Sequence, residues 1–292
     1  MMQQLIINTL IAGCIYSLVA LGFAAIFQTS RFIHFAHGVI FTAGAYFTFF
    51  FKVWLGCSLW VAALTGILVA ALMGCLMERY IYRFMRKNES NKLVLLLSSL
   101  GIYILMQNII SMIFGDQTQS FRDGIVREGI DIAGARITPI QIITICVSVI
   151  LAIALSVFLK KTKTGCAMRA VANDSELANV SGINSNCTIL WAFAIGSGLA
   201  GLAGILVALD VNMTPTMGMN ALMMGVVTVI IGGVNSVTGI ALGALLLATA
   251  QNIGAWYIGS QWQEAIAFVI LVIFLLLRPQ GFFGRKIRSA SV

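Results

Sequence analysis

Charge is scarce in this sequence. Asp, Glu, Lys and Arg make up 10% of its 292 residues, against about 25% in an average soluble chain. That is too little polar surface to cover a water-soluble globule, which excludes a soluble enzyme and a free nucleic-acid-binding domain. Proline is nearly missing, with three residues against 28 glycines, so helices can run unbroken and a collagen-like or disordered chain is excluded. The six cysteines are scattered, and Cys14, Cys75 and Cys146 lie inside apolar runs. Thiols placed there behave as small hydrophobes, so neither a disulfide framework nor a zinc site is expected. Two motifs are also missing. No G-x-x-x-x-G-K-[ST] phosphate loop is present, so the chain is not itself an ATPase of that kind. Gly196-Ser197-Gly198 lacks the spacing of a nucleophile elbow, and no other catalytic grouping stands in its place. The N-terminus, Met1-Met2-Gln3-Gln4, carries no basic residue and no cleavage site follows the first apolar run, which therefore reads as a retained helix.

What the sequence has in quantity is apolar residue, at 60%, with a mean hydropathy of +0.98. This is the composition of an all-α polytopic membrane protein, here a single transmembrane domain over 1–292. A hydrocarbon core of about 30 Å takes about 20 helical residues. Runs of that order lie at 5–28, 55–77, 93–114, 139–159, 188–209 and 239–256, with a slightly short one at 262–277. Two shorter runs, 38–51 and 219–231, are either crossings or broken and re-entrant helices, which gives about eight to nine transmembrane helices. If the loops 29–37, 78–92, 160–187, 232–238 and 278–292 share one side, they hold all of the 18 basic residues except Lys52, Arg122, Arg127 and Arg136. Positive loops stay in the cytoplasm, so the C-terminus is expected inside, the N-terminus on the periplasmic side, and the loop 115–138 outside.

Between residues 5 and 256 none of the apolar runs contains Asp, Glu, Lys or Arg. A charge at a helix centre costs about 2.5–3.5 kcal/mol on insertion scales and is kept where ions or protons move. Its absence argues against a proton pump, an ion-coupled carrier and a voltage sensor, and any uphill transport must draw energy from another subunit. His34 and His37 form an H-x-x-H pair without a third ligand nearby, so no metal is expected there; a helix start or a constriction suits them better. Small residues recur every fourth position at Ala192, Gly196, Ala200, Gly204 and Ala208, and again at Gly239 and Gly243, which reads as close helix packing. Two polar breaks, Arg31–Gly38 and Gly232–Gly239, each precede a Gly/Ala-rich run and hint at related halves. Half-helix ends there could offer backbone groups to a solute, which makes Phe35, His37, Gly38, Gly232, Gly233, Asn235 and Ser236 the candidate pathway residues.

The stretch 160–187 reads as two short helices at the membrane surface. Thr164-Gly165 opens the first, Asn173 caps the second in a capping box with Glu176, and Gly182 ends it. Ala167, Ala170, Val171, Asp174, Leu177, Ala178 and Ser181 make one mildly apolar stripe suited to a groove on another protein.

Here the sequence resembles a known family. Arg169-Ala-Val-Ala-Asn173-Asp174-Ser-Glu176-Leu-Ala-Asn-Val-Ser-Gly182 is similar to the cytoplasmic coupling motif of bacterial ABC importer permeases, and of branched-chain amino acid permeases in particular. Tyr16-Ser-Leu-Val-Ala-Leu-Gly22, Phe35-Ala-His37-Gly38, Gly44-Ala-Tyr46, Gly198-Leu-Ala-Gly201-Leu-Ala-Gly204, Gly232-Gly233 and Arg278-Pro-Gln-Gly-Phe282 match the same family, over nearly the whole chain. One departure is Ile33 before His34-Phe35, where the family usually has an Asn before the Phe. The resemblance implies a permease subunit in a bacterial inner membrane. Its implied partners are a second related permease, two cytosolic subunits that bind the ATP, a periplasmic solute-binding protein and membrane lipid, with no nucleic acid and no cofactor of its own. Arg169, Asn173, Asp174, Glu176 and Gly182 would form the ATPase-coupling loop. A urea or short-chain amide permease shares these motifs. A passive small-solute channel, from a different class, would have no use for a docking element.

Overall fold

A computed structural model describes residues 2–121, 129–132, 134–278 and 280–283. The long helices are the apolar runs, lengthened by polar residues at their ends, and three short ones, α4, α7 and α8, lie between them. They are α1 (Met2–Ser30), α2 (Ala36–Phe49), α3 (Leu59–Leu76), α4 (Arg83–Lys87), α5 (Lys92–Phe114), α6 (Pro139–Lys161), α7 (Lys163–Asn173), α8 (Ser175–Val180), α9 (Ser185–Asp210), α10 (Met217–Gly232), α11 (Val237–Tyr257) and α12 (Gln263–Leu277). A wider π turn, Phe50–Trp54, prolongs α2, and another, Met77–Tyr82, joins α3 to α4 without a break. Among the described residues, 8 helices are long and apolar enough to cross a bilayer. α2 is one of them, because the π turn carries it to Trp54. α10, with 16 residues, is about 24 Å long and shorter than a hydrocarbon core.

One expectation needs correction. The stretch 78–92 is largely helix, since no Gly or Pro interrupts the chain between Met77 and Lys87, and the turn comes at Asn88. The outer stretch 115–138 carries a short hairpin. Ile130–Ile132 pairs antiparallel with Ala135–Ile137 around Gly134 at φ 82°. Residues 122–128 of that stretch, and the basic tail from 284 onward, lie outside the described residues. After the hairpin, Thr138 starts α6 with a full capping box: its hydroxyl accepts the Gln141 backbone N–H and the Gln141 side-chain oxygen accepts the Thr138 backbone N–H, with Pro139 at the first helical position.

α1, α2 and α9 form the centre of the bundle, and the small-residue row on α9 is the reason they can. A Cβ on Gly196 would stand 2.5 Å from the carbonyl oxygen of Gly22 in α1, and one on Gly44 of α2 only 2.4 Å from Cα of Gly201. In a bilayer such backbone proximity supplies the van der Waals contact that replaces the hydrophobic drive. α3 joins by the same device, burying Ala62, Gly66, Ala70 and Gly74 and little else. α5, α6 and α12 lie on the outside with mostly exposed apolar side chains.

Contacts between loops sort them onto two ends. At one, Gln28 at the end of α1 donates to the Val234 carbonyl, Arg31 reaches Ala172, and Phe282 N–H donates to the Ile231 carbonyl at 2.9 Å. At the other, Arg136 N–H donates to Gln4 at 2.9 Å, Lys52 to the Phe121 carbonyl at 3.0 Å, and Gln119 pairs with Met213. The first end gathers the same loops that the basic-residue count groups together.

Candidate functional site

The two-helix stretch at the basic end is built by its caps. Thr162 accepts the Gly165 N–H at 3.0 Å and starts α7, while Gly165 lies so close to the Phe158 carbonyl that a Cβ would come within 2.2 Å of it. This contact folds α7 sharply back against α6. α8 starts at Asp174, whose carboxylate accepts the N–H groups of Glu176 at 2.9 Å and Leu177 at 3.0 Å. The cap is therefore not Asn173, which is the last residue of α7, and Glu176 stands one position too early for a capping box. Glu176 still lies in the first turn of α8, where a negative charge is favourable. α8 ends as expected at Gly182, with φ 83°. Gly182 N–H donates to Asn179 at 3.0 Å and Ile183 N–H to Ala178 at 2.9 Å, the two bonds of a Schellman motif.

The sharp turn between the helices also corrects the single apolar stripe. α7 buries Gly165, Met168 and Val171, and α8 buries only Ala178. Leu177 and Val180 point away from the bundle, at 64% and 88% exposure. Arg169, Asn173, Asp174, Glu176 and Gly182 are all exposed. The outward surface of the elbow thus combines two apolar side chains with a cation and two acids. Beside it runs a groove of about 680 Å³, lined by Arg31, Arg86, Lys92, Asp174, Glu176 and Ser185 among others.

The candidate pathway residues sit differently. The two breaks come to the same end, linked by the Gln28–Val234 bond. Of the seven residues only Asn235 is exposed. Phe35 N–H donates to Ser99 of α5 at 3.1 Å, and Gly38 packs against the Gly218 carbonyl of α10. Gly232 packs on Gly239, Gly233 turns the chain at φ 91°, and Ser236 caps α11 by accepting the Gly239 N–H at 3.0 Å. His34 and His37 are fully buried. His37 Nε2 lies 3.3 Å from the Val19 carbonyl, while the His34 ring sits between Tyr82 and Phe193, and neither of its nitrogens has a partner. Burial, with His37 a lesser cause, holds the His34 pKa well below the usual value, so the ring is neutral. Among the described residues no group of three His, Cys, Asp or Glu gathers that could hold a metal.

Residues 5–275 match the family model described as branched-chain amino acid transport system / permease component. The chain is 31% identical to the high-affinity branched-chain amino acid transport system permease protein BraD of Pseudomonas aeruginosa, over 97% of this chain and 96% of that one. It is 30% identical to the permease protein LivH of Escherichia coli K12, over 97% and 95%. The chain belongs to this permease family. A solved structure titled PsaBC from Streptococcus pneumoniae in complex with Fab shares the fold at a TM-score of 0.52, with 13% identity, over 94% of this chain and 92% of that one. Family membership makes the chain a multi-pass membrane subunit of a transport system.

Two residues that reading the sequence missed complete the permease's basic end. Arg31 takes a left-handed backbone, φ 60°, and its guanidinium donates to the carbonyls of Ala172 and Asn173 at the end of α7. It ties the spanning helix α1 to the elbow. Glu78, just past the apolar run 55–77, is 1% exposed and paired with the Arg86 guanidinium through both oxygens. The eight-residue spacing across a π turn gave no signal for that pair, since helical partners normally lie three or four apart.

Proposed function

We propose that the chain is the transmembrane permease subunit of an ATP-driven importer that passes branched-chain amino acids, Leu, Ile and Val, into the cell. The observation that carries this reading is the elbow α7–α8: rigidly capped, tied to α1 by Arg31, and turning Leu177, Val180 and Glu176 outward. A helix pair of 11 and 6 residues has no stability of its own in water, and the chain nonetheless fixes it as a presented surface. The names of the relatives support the solute class. Two cytosolic subunits would bind the ATP and grip the elbow, so that their closure moves α1 and the bundle with it. A second, related permease would complete the pathway, and a periplasmic binding protein would deliver the solute to the outer end, the bilayer being the bacterial inner membrane.

The test is uptake of labelled leucine in cells carrying the complete system. Uptake should stop when the ATPase subunits are removed and persist when the proton gradient is collapsed with ATP maintained. Gly182→Val and Glu176→Lys should abolish coupling while leaving solute binding by the delivery protein unchanged. Uptake driven by a proton gradient without ATP would sink the reading. Competition by urea or acetamide in place of isoleucine and valine would keep the importer and change its solute.

A further inference from the structure

The helix running from α3 through its π turn into α4 turns an apolar stripe away from the bundle. Every fourth residue is exposed, from Trp60 through Leu64, Leu68 and Leu72 to Tyr80 and Phe84. Trp60 and Tyr80 are twenty residues apart, about 30 Å along a helix, which is the thickness of the hydrocarbon core. Aromatic rings of this kind mark the two membrane–water boundaries. Tyr80 therefore sets the headgroup level at the basic end.

At that level the helix and the start of α9 enclose a cleft of about 140 Å³, lined by Glu78, Arg79, Arg83, Asn184 and Asn186 together with Cys187 and Leu190. The Glu78 carboxylate is already engaged by Arg86. Arg79 and Arg83 are exposed, and neither forms a close ion pair or a hydrogen bond with any described residue, although Arg83 is near enough to Glu78 to favour its charged form. They lie four residues apart, on one face of the helix, directly beside the lipid-facing stripe. Asn184 uses its carbonyl oxygen to accept the Cys187 N–H at 3.1 Å, which leaves its amide hydrogens to donate.

We propose that this cleft binds the phosphate of an anionic phospholipid headgroup. Two guanidinium groups present planar forks that match phosphate oxygens in pairs. The acyl chains would lie along Leu72 and Leu68, which continue straight from the cleft. That continuity, with Tyr80 and Phe84 flanking the arginines, selects a lipid over a soluble phosphate, for which an apolar approach has no use. Basic pockets between helices at this level are built for headgroups.

The probe is phosphatidylglycerol added to the full chain, purified with whichever subunits accompany it and stripped of lipid, with bound lipid counted by native mass spectrometry. Phosphatidylglycerol should bind in preference to phosphatidylcholine. Arg79→Gln with Arg83→Gln should weaken it by about tenfold or more. Lys160→Gln with Lys161→Gln, an equal loss of charge at the end of α6, should not. Should the arginine double variant fail to accumulate, Arg83→Gln alone, expected to weaken binding several-fold, takes its place in the comparison. Unchanged binding in the arginine variants overturns the proposal, and so does an equal fall in the lysine variant, which would mean diffuse attraction. Displacement of phosphatidylglycerol by millimolar inorganic phosphate would overturn the lipid assignment in favour of a soluble anion.

Discussion

Asp174 accepts two backbone N–H groups and its neighbour Asn173 accepts none, although both are good capping residues. Sequence could place the stop of α8 at Gly182 but not choose between them. The choice is made by Arg31, 141 residues away in the chain, whose guanidinium holds the last carbonyls of α7 and so keeps Asn173 helical. Asp174→Ala should therefore cost about 1 kcal/mol of local stability, read as faster proteolysis between 174 and 183 and as lost stimulation of the partner ATPase. Asn173→Ala should leave both near wild type. Glu78 makes a second residue-scale test. Arg86→Met takes from a buried carboxylate its hydrogen-bonded partner and leaves it only the more distant charge of Arg83, which costs up to about 3–5 kcal/mol, whereas replacing both partners with methionine removes the burden along with the bond. The double variant should melt above Arg86→Met in detergent; melting below it would mean that the pair is not the reason for the cost.

At the scale of elements, the four-residue recurrence on α9 announced close packing, and the structure buries every member of it, with Gly196 against α1 and Gly204 against α2. What periodicity could not name was the partners, because Gly22 and Gly44 belong to no four-residue row of glycine or alanine in their own runs and acquire meaning only opposite Gly196 and Gly201. Nor could it foresee helix past Met77, since the hydropathy of the run ends there while the backbone does not. Glycines that read alike in sequence should thus respond oppositely to substitution. Gly196→Val places methyl groups where a Cβ already meets the Gly22 carbonyl at 2.5 Å, prising α1 from α9; the protein should fail to accumulate. Gly101, on the outer face of α5, has no atom within 4 Å of a Cβ. Gly101→Ala should raise stability by about 0.5–1 kcal/mol through backbone entropy alone, measured as a higher melting point. A lower one in the assembled system would show that another chain lies against that face.

On the scale of the whole molecule, topology was the most legible property. Charge distribution sorts the loops because it acts during insertion, independently of packing, and the contacts at the two ends sort them the same way. The pathway was the least legible. Its candidate residues were chosen for polarity and helix breaks, and most of them are enclosed by contacts within this one chain, which neither polarity nor a helix break announces. Which end faces the cytosol is open to direct measurement through the cysteines. Cys166 and Cys187 are exposed at the basic end, Cys57 is half-buried at the other, and Cys146 is exposed on the outer side of α6. Only a thiolate in contact with water reacts with a charged, impermeant maleimide. In single-cysteine variants of intact cells, Cys57 should label and Cys166 and Cys187 should not until the membrane is permeabilised. Cys146, two turns inside the spanning helix α6, should stay unlabelled in both states because its exposure is to lipid. Labelling of Cys166 in sealed cells with Cys57 silent would invert the molecule, and would place the elbow where no cytosolic ATPase could reach it.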